Sequence, residues 1–142
     1  MLLDAQFQFQ SELYRALKSD TELSTMIGEA IYDASPPLQQ LPDLYIRLGN
    51  ETIQNTSSKT HLGIEIIFEI SVFSKMKGFS DVKKISSEIV KIVCNTEMEL
   101  SSAKVVGLWF KKSQSYRQDR GNLRQIKLLF KTILDVNSNK ET

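Results

Sequence analysis

The stretch from Thr60 to Ser74 constrains the fold more than any other, because apolar residues recur at every second position along it. In an extended chain Ile64, Ile66, Phe68, Ile70 and Val72 project to one side, and Glu65, Ile67, Glu69, Ser71 and Phe73 to the other. The first side belongs in a core. The second mixes glutamates with Ile67 and Phe73, which predicts a face only partly in water and able to meet another subunit.

The segments on either side supply helices and further strands. Asp4 is placed to cap a helix from Ala5 to Lys18, with Phe9, Leu13, Ala16 and Leu17 as its apolar stripe. Ser19-Asp20-Thr21-Glu22 has the form of a capping box opening a second, short helix that Gly28 ends. Ile31-Tyr32 reads as a brief extended piece, and Pro36-Pro37 and Pro42 as a connection. Leu44 to Leu48 alternates as a strand that Gly49-Asn50 stops, and the polar run Asn55 to Lys59 reads as a loop. Ser80 is expected to cap a long helix with Asp81 in its first turn and Val82, Ile85, Ile89, Ile92 and Val93 buried. Lys104 to Tyr116 is a third main strand. A turn at Asp119-Arg120-Gly121-Asn122 leads to a fourth, with Ile126, Leu128, Phe130, Thr132 and Leu134 on one face. The economical assembly is α+β: an antiparallel sheet of about four strands with two main helices packed on one face.

A chain of 142 residues with 41% hydrophobic and 25% charged content suits one domain that buries roughly 70% of its unfolded surface. The domain is expected to span residues 1–136, with 137–142 as a polar tail. Cys94 stands alone beside Ile92 and Val93, so it reads as a small core residue and no intrachain disulfide is available. The first residues lack a basic n-region and an unbroken apolar run, so no signal peptide is expected, and no stretch approaches the ~18 apolar residues of a membrane span.

Catalytic chemistry finds little to work with. His61 is the only histidine and has no carboxylate at an obvious productive spacing. One histidine and one cysteine do not make a structural zinc site, and Glu97 and Glu99 read as loop residues. The glycines form no phosphate-binding signature. Glu65 and Glu69 share a strand face at a spacing of ~13 Å, too far apart for a retaining glycosidase pair and generous for an inverting one. The sequence therefore predicts no enzyme, no cofactor and no metal.

Charge is distributed unevenly. Residues 1–100 carry 9 Lys and Arg against 14 Asp and Glu, a net charge of −5, whereas residues 101–142 carry 9 against 3, a net charge of +6. Lys111, Lys112, Arg117, Arg120 and Arg124 surround Trp109, Phe110 and Tyr116 near the last hairpin. Such a set suits an acidic protein face, or single-stranded nucleic acid through stacking and phosphate contacts, or simply a solvated hairpin. No nucleic-acid motif accompanies it. With Glu65 and Glu69, these residues are the candidate protein interface.

The order of several short motifs points further. Ala16-Leu17-Lys18-Ser19-Asp20-Thr21-Glu22-Leu23, then Ile27-Gly28, Ile31-Tyr32-Asp33, Pro36-Pro37 and the strand Tyr45 to Gly49 resemble the opening of the phage tail-completion, or tail-terminator, family, also found in prophages and gene transfer agents. The resemblance continues through His61, Val72-Phe73-Ser74, Gly78 and the basic hairpin to about Leu134. The chain departs from the family where Asp43-Leu44 separate Pro42 from the strand tyrosine, where Phe73 replaces a tryptophan, and at Asn122 or Leu123, where a histidine is usual. The resemblance implies a structural subunit of a virion or phage-like particle tail, assembled in the bacterial cytoplasm. It implies a ring of six copies at the head-proximal end of the tail tube, touching the tube protein and the head–tail connector or stopper. DNA would meet such a ring only by passing through its lumen, and no membrane is involved. The alternatives are another head–tail joining component, such as a stopper or minor tail protein, and a small nucleic-acid-binding module.

Overall fold

The computed structural model describes residues 2–33, 41–75, 78–118 and 123–136. The expected Pro36-Pro37 connection, the turn at 119–122 with Arg120, and the polar tail lie outside them. The elements follow in the order α1 (Leu2–Ser19), α2 (Thr21–Ile27), β1 (Ile31–Tyr32), β2 (Leu44–Asn55), β3 (Gly63–Ser74), α3 (Ser80–Asn95), β4 (Lys104–Gln118) and β5 (Leu123–Asp135). They form a five-stranded sheet in the order β1-β2-β3-β5-β4. β1 runs parallel to β2, and the remaining neighbours are antiparallel. The fold is α+β as expected, but the sheet is mixed and has five strands, and three helices accompany it. The short β1 joins because Ile31 and Tyr32 register with Ile46 and Arg47, a tertiary pairing that local sequence does not advertise.

The core lies between the sheet and the helices. Ile64, Ile66, Phe68, Ile70 and Val72 of β3 are buried, as are Ile126, Leu128, Phe130, Thr132 and Leu134 of β5. Against them pack Ala5, Phe9, Leu13 and Leu17 of α1, and Val82, Ile85, Ile89, Ile92 and Val93 of α3. Aromatic rings cross the core in contact: Phe9 meets Phe68 edge-on at 5.3 Å, Phe68 stacks on Phe130 at 5.2 Å, and Phe110 meets Phe130 at 5.7 Å. Phe68 thus faces inward as expected, with Phe9 of α1 and Phe130 as its ring partners. Thr132 resolves its buried hydroxyl by donating to the Gly107 carbonyl at 2.8 Å.

Several local readings change. Helix α1 already includes Leu2, so Asp4 lies within its first turn and does not cap it. The cap of α2 is Asp20, whose carboxylate accepts from the Leu23 amide at 2.9 Å, while the Ser19 hydroxyl donates back to the Arg15 carbonyl. A carboxylate at that position outcompetes the neighbouring hydroxyl for the helix N-terminus. Gly28 does end α2, at φ 61°, a conformation that disfavours residues with a Cβ. Ser80 is already inside α3, whose cap position is Phe79 with no side-chain hydrogen bond. Gly49 and Asn50 do not stop β2, because a register shift between Leu48 and Glu51 absorbs them as a bulge. Cys94 is exposed, one position past the buried stripe of α3.

Where α2 meets α3, the carboxyl groups of Glu88, Asp20 and Glu22 line one hollow. Desolvation, and then the proximity of the Asp20 and Glu22 carboxylates, raise the Glu88 pKa above the ordinary 4.5. The folded state therefore holds this proton more tightly than the unfolded chain. The associated stabilisation is present below pH 4.5 and is lost as pH rises through the raised value. Glu88→Gln, which removes the like charge, should melt higher than wild type at neutral pH, and the gap should close below pH 4.5 in thermal scans by circular dichroism.

Candidate assembly surface

All three helices lie on one face of the sheet, and among the described residues no helix covers the other. The strand registers align rows of side chains on this open face. Glu69, Leu129 and Lys112 form one row, Ile67, Lys131 and Trp109 the next, and Glu65 and Ile133 the one after. At one end Tyr45 stacks on Phe73 at 4.8 Å, with Ala30 completing a small second cluster. Burial pushes the Tyr45 phenol up, against the opposing charge of Arg47, which lies over the Phe73 ring at 4.7 Å. Phe73 is thus covered, whereas Ile67, Leu129 and Ile133 remain half-exposed.

The polar groups of this face engage one another in plane. Lys131 Nζ pairs with Glu65 Oε1 at 3.0 Å and lies 5.9 Å from the centre of the Trp109 ring. Lys127 sits likewise over Tyr116 at 5.4 Å. Partly exposed pairs of this kind contribute little stability, about 0–1 kcal/mol, but they fix the shape of the surface. Trp109 folds back over Gly107. A Cβ at position 107 would lie 2.5 Å from Cζ2 of that ring. Gly107→Ala should therefore lift the ring off the sheet. As this is the only tryptophan, its fluorescence should shift to longer wavelength and become more readily quenched by acrylamide.

The candidate interface residues do not form one patch. Glu65, Glu69 and Lys112 share the open face, while Lys111 is the extra residue at a bulge between Phe110 and Lys112. Arg117 and Arg124 stand opposite each other beside the last turn. Arg124 is half-buried and lies over the Phe79 ring at 5.8 Å, which anchors it beside the start of α3. Like charges held directly opposite cost stability unless a counter-charge arrives. Phe110, on the helix side, meets the core ring of Phe130 edge-on but is itself 40% exposed.

Two apolar residues outside the candidates named above are the most exposed large hydrophobics among the described residues. Phe7 is 71% and Leu3 67% exposed on α1. Their signal is a second i, i+4 apolar pair lying opposite the Ala5, Phe9 and Leu13 stripe.

Chemistry remains sparse. His61 Nε2 does find a carboxylate, Asp135 Oδ1 at 3.2 Å, contrary to the sequence expectation. The pair forms because Gly63 registers with Asp135 across β3 and β5, and it ties the loop before β3 to the end of the sheet. An open hollow of about 780 Å³ beside the end of α3 is lined by Cys94, Glu97, Met98, Glu99 and Leu108 among others, and His61 is not part of it. Among the described residues no three His, Cys, Asp or Glu side chains gather to hold a metal ion, and no helix is long and apolar enough to cross a membrane.

The described residues thus form a two-layer α+β domain with one sheet face that no helix covers. The chain belongs to the tail completion protein gp17 family, whose model matches residues 11–135, and so to the structural proteins of phage tails. In structure it is similar to a chain from the virion of a native gene transfer agent particle, at 30% identity and a TM-score of 0.85, covering 92% of this chain and 97% of the other. No curated protein sequence matches.

Proposed function

We propose that this subunit completes the tail of a phage or phage-like particle as a ring of six copies. The ring closes the head-proximal end of the tail tube, stops tube growth and presents a surface to the head connector or stopper. The observation that carries this reading is the likeness, over nearly the whole of both chains, to a component of a gene transfer agent virion. Its partners are then other copies of itself, the tube protein and the connector, and DNA passes through the lumen without being read. Assembly takes place in the bacterial cytoplasm before the tail joins the head.

The basic residues of the last hairpin, Lys111, Lys112, Arg117, Arg120 and Arg124, meet acidic surfaces of neighbouring tail or connector subunits, Lys112 from the open face and Arg117 and Arg124 from beside the last turn. The facing pair Arg117 and Arg124 supports this, since a carboxylate would relieve its repulsion. Glu65 and Glu69 contribute from the open face. Removing the gene from its particle should leave tails of abnormal length or tails detached from heads, visible by negative-stain electron microscopy. Normal tails in its absence would remove the role.

The subunit performs no catalysis in this reading. His61→Ala and Cys94→Ala should each restore tail completion as well as wild type when supplied to particles lacking the gene. A folded His61→Ala protein that fails would reveal chemistry at the His61–Asp135 pair.

A further inference from the structure

The Phe7 knob and the Trp109 surface have opposite surroundings. Phe7 stands on the outer side of α1, between two hollows. Glu12 and Arg15 in one of them pair and cancel, which leaves Glu99 there and Asp33 in the other as the charged groups beside Phe7. Asp4 lies one turn before Phe7 on the same helix. The apolar surface around Trp109 and Val106, which are 46% and 59% exposed, is rimmed instead by Lys104, Lys111 and Lys112.

The two surfaces lie on opposite sides of the molecule. Helix α1 packs on the covered face of the sheet, whereas Trp109 and Lys131 share the open face and Val106 bulges from the β4 edge. A knob and a receiving surface so placed cannot meet within one subunit. They suit each other between copies, where each copy offers its knob to one neighbour and its edge to the next.

We infer that copies associate head to tail, with Leu3 and Phe7 of one copy seated on the Val106–Trp109 edge of the next. This rests on the ring reading and names the contact that closes it. The apolar residues provide the affinity, and the acidic and basic rims set the register and reject the reverse pairing.

Cysteine crosslinking tests the contact on the whole chain. In a Cys94→Ser background, one protein carries Leu3→Cys and another Val106→Cys, so that Phe7 and Trp109 stay in place. Under mild oxidation a disulfide-linked dimer should form when the two are mixed and not when either is alone. Adding Phe7→Asp to the Leu3→Cys protein should weaken association at least about tenfold and abolish the mixed dimer. Dimers from either protein alone would indicate a two-fold contact and overturn the inference. Absence of the mixed dimer overturns it as well. If wild type is then oligomeric by light scattering, the contact lies elsewhere and the tail role stands. Normal tails without the gene would instead bring down the role.

Discussion

Phe68→Ala is expected to destabilise the subunit by about 3–5 kcal/mol, the usual cost of emptying a phenylalanine site in a close-packed core. Phe68 is 2% exposed and joins Phe9 to Phe130, so its loss unseats a helix and a neighbouring strand together. Both layers of the fold depend on that ring. In a domain of this size such a loss lowers the melting temperature by about 10–15 °C and reduces the yield of soluble protein. Phe68→Leu, which keeps most of the volume, should recover much of it. Near-native melting of Phe68→Ala would mean that the helices do not rest on this face of β3.

The second large effect is on assembly. Lys111→Glu, Lys112→Glu and Arg117→Glu together should leave folding intact, because all three side chains are exposed and surface charges rarely matter to stability. The variant should nevertheless fail to complete tails in particles lacking the wild-type gene. Neutral Gln at one, two or all three of these positions should complete tails progressively less well, and each variant should fail sooner at high salt. Arg124 is left out of the set because its place over Phe79 makes it part of the fold. Full activity of the triple Glu variant would move the interface away from β4. Tight, salt-resistant DNA binding by the wild-type subunit would instead give the basic residues to nucleic acid.

Features carried by short-range periodicity were legible in the sequence. The alternation of β3 and β5 and the stripe of α3 each arise from contacts repeated at a fixed spacing, so a single residue type at each position suffices to display them. What escaped depends on partners far along the chain. Gly49-Asn50 has the chemistry of a strand end, yet the partner strand continues and pairs through a bulge, which no local rule reports. His61 meets Asp135 only because two distant strands align, and β1 is a strand only because β2 lies beside it. Cys94 has apolar neighbours in sequence but faces outward by one helical step. At the candidate interface, residue types were visible and their sides were not. The register that sets Lys112 on the open face and leans Arg124 over Phe79 is a property of the whole sheet.

The irregularity of β4 bears on how such a subunit survives before it is used. Register shifts at Val105/Gly107 and Phe110/Lys112 break the outer ladder, and Lys111, Lys112 and Arg117 stud what remains. An unbroken outer strand would invite another chain to dock by main-chain hydrogen bonds, and a pool of waiting copies would seed fibres. This edge refuses such additions, so growth from it must go through side chains with defined geometry. If the subunit ends a polymer, as proposed, the same edge keeps it from starting one.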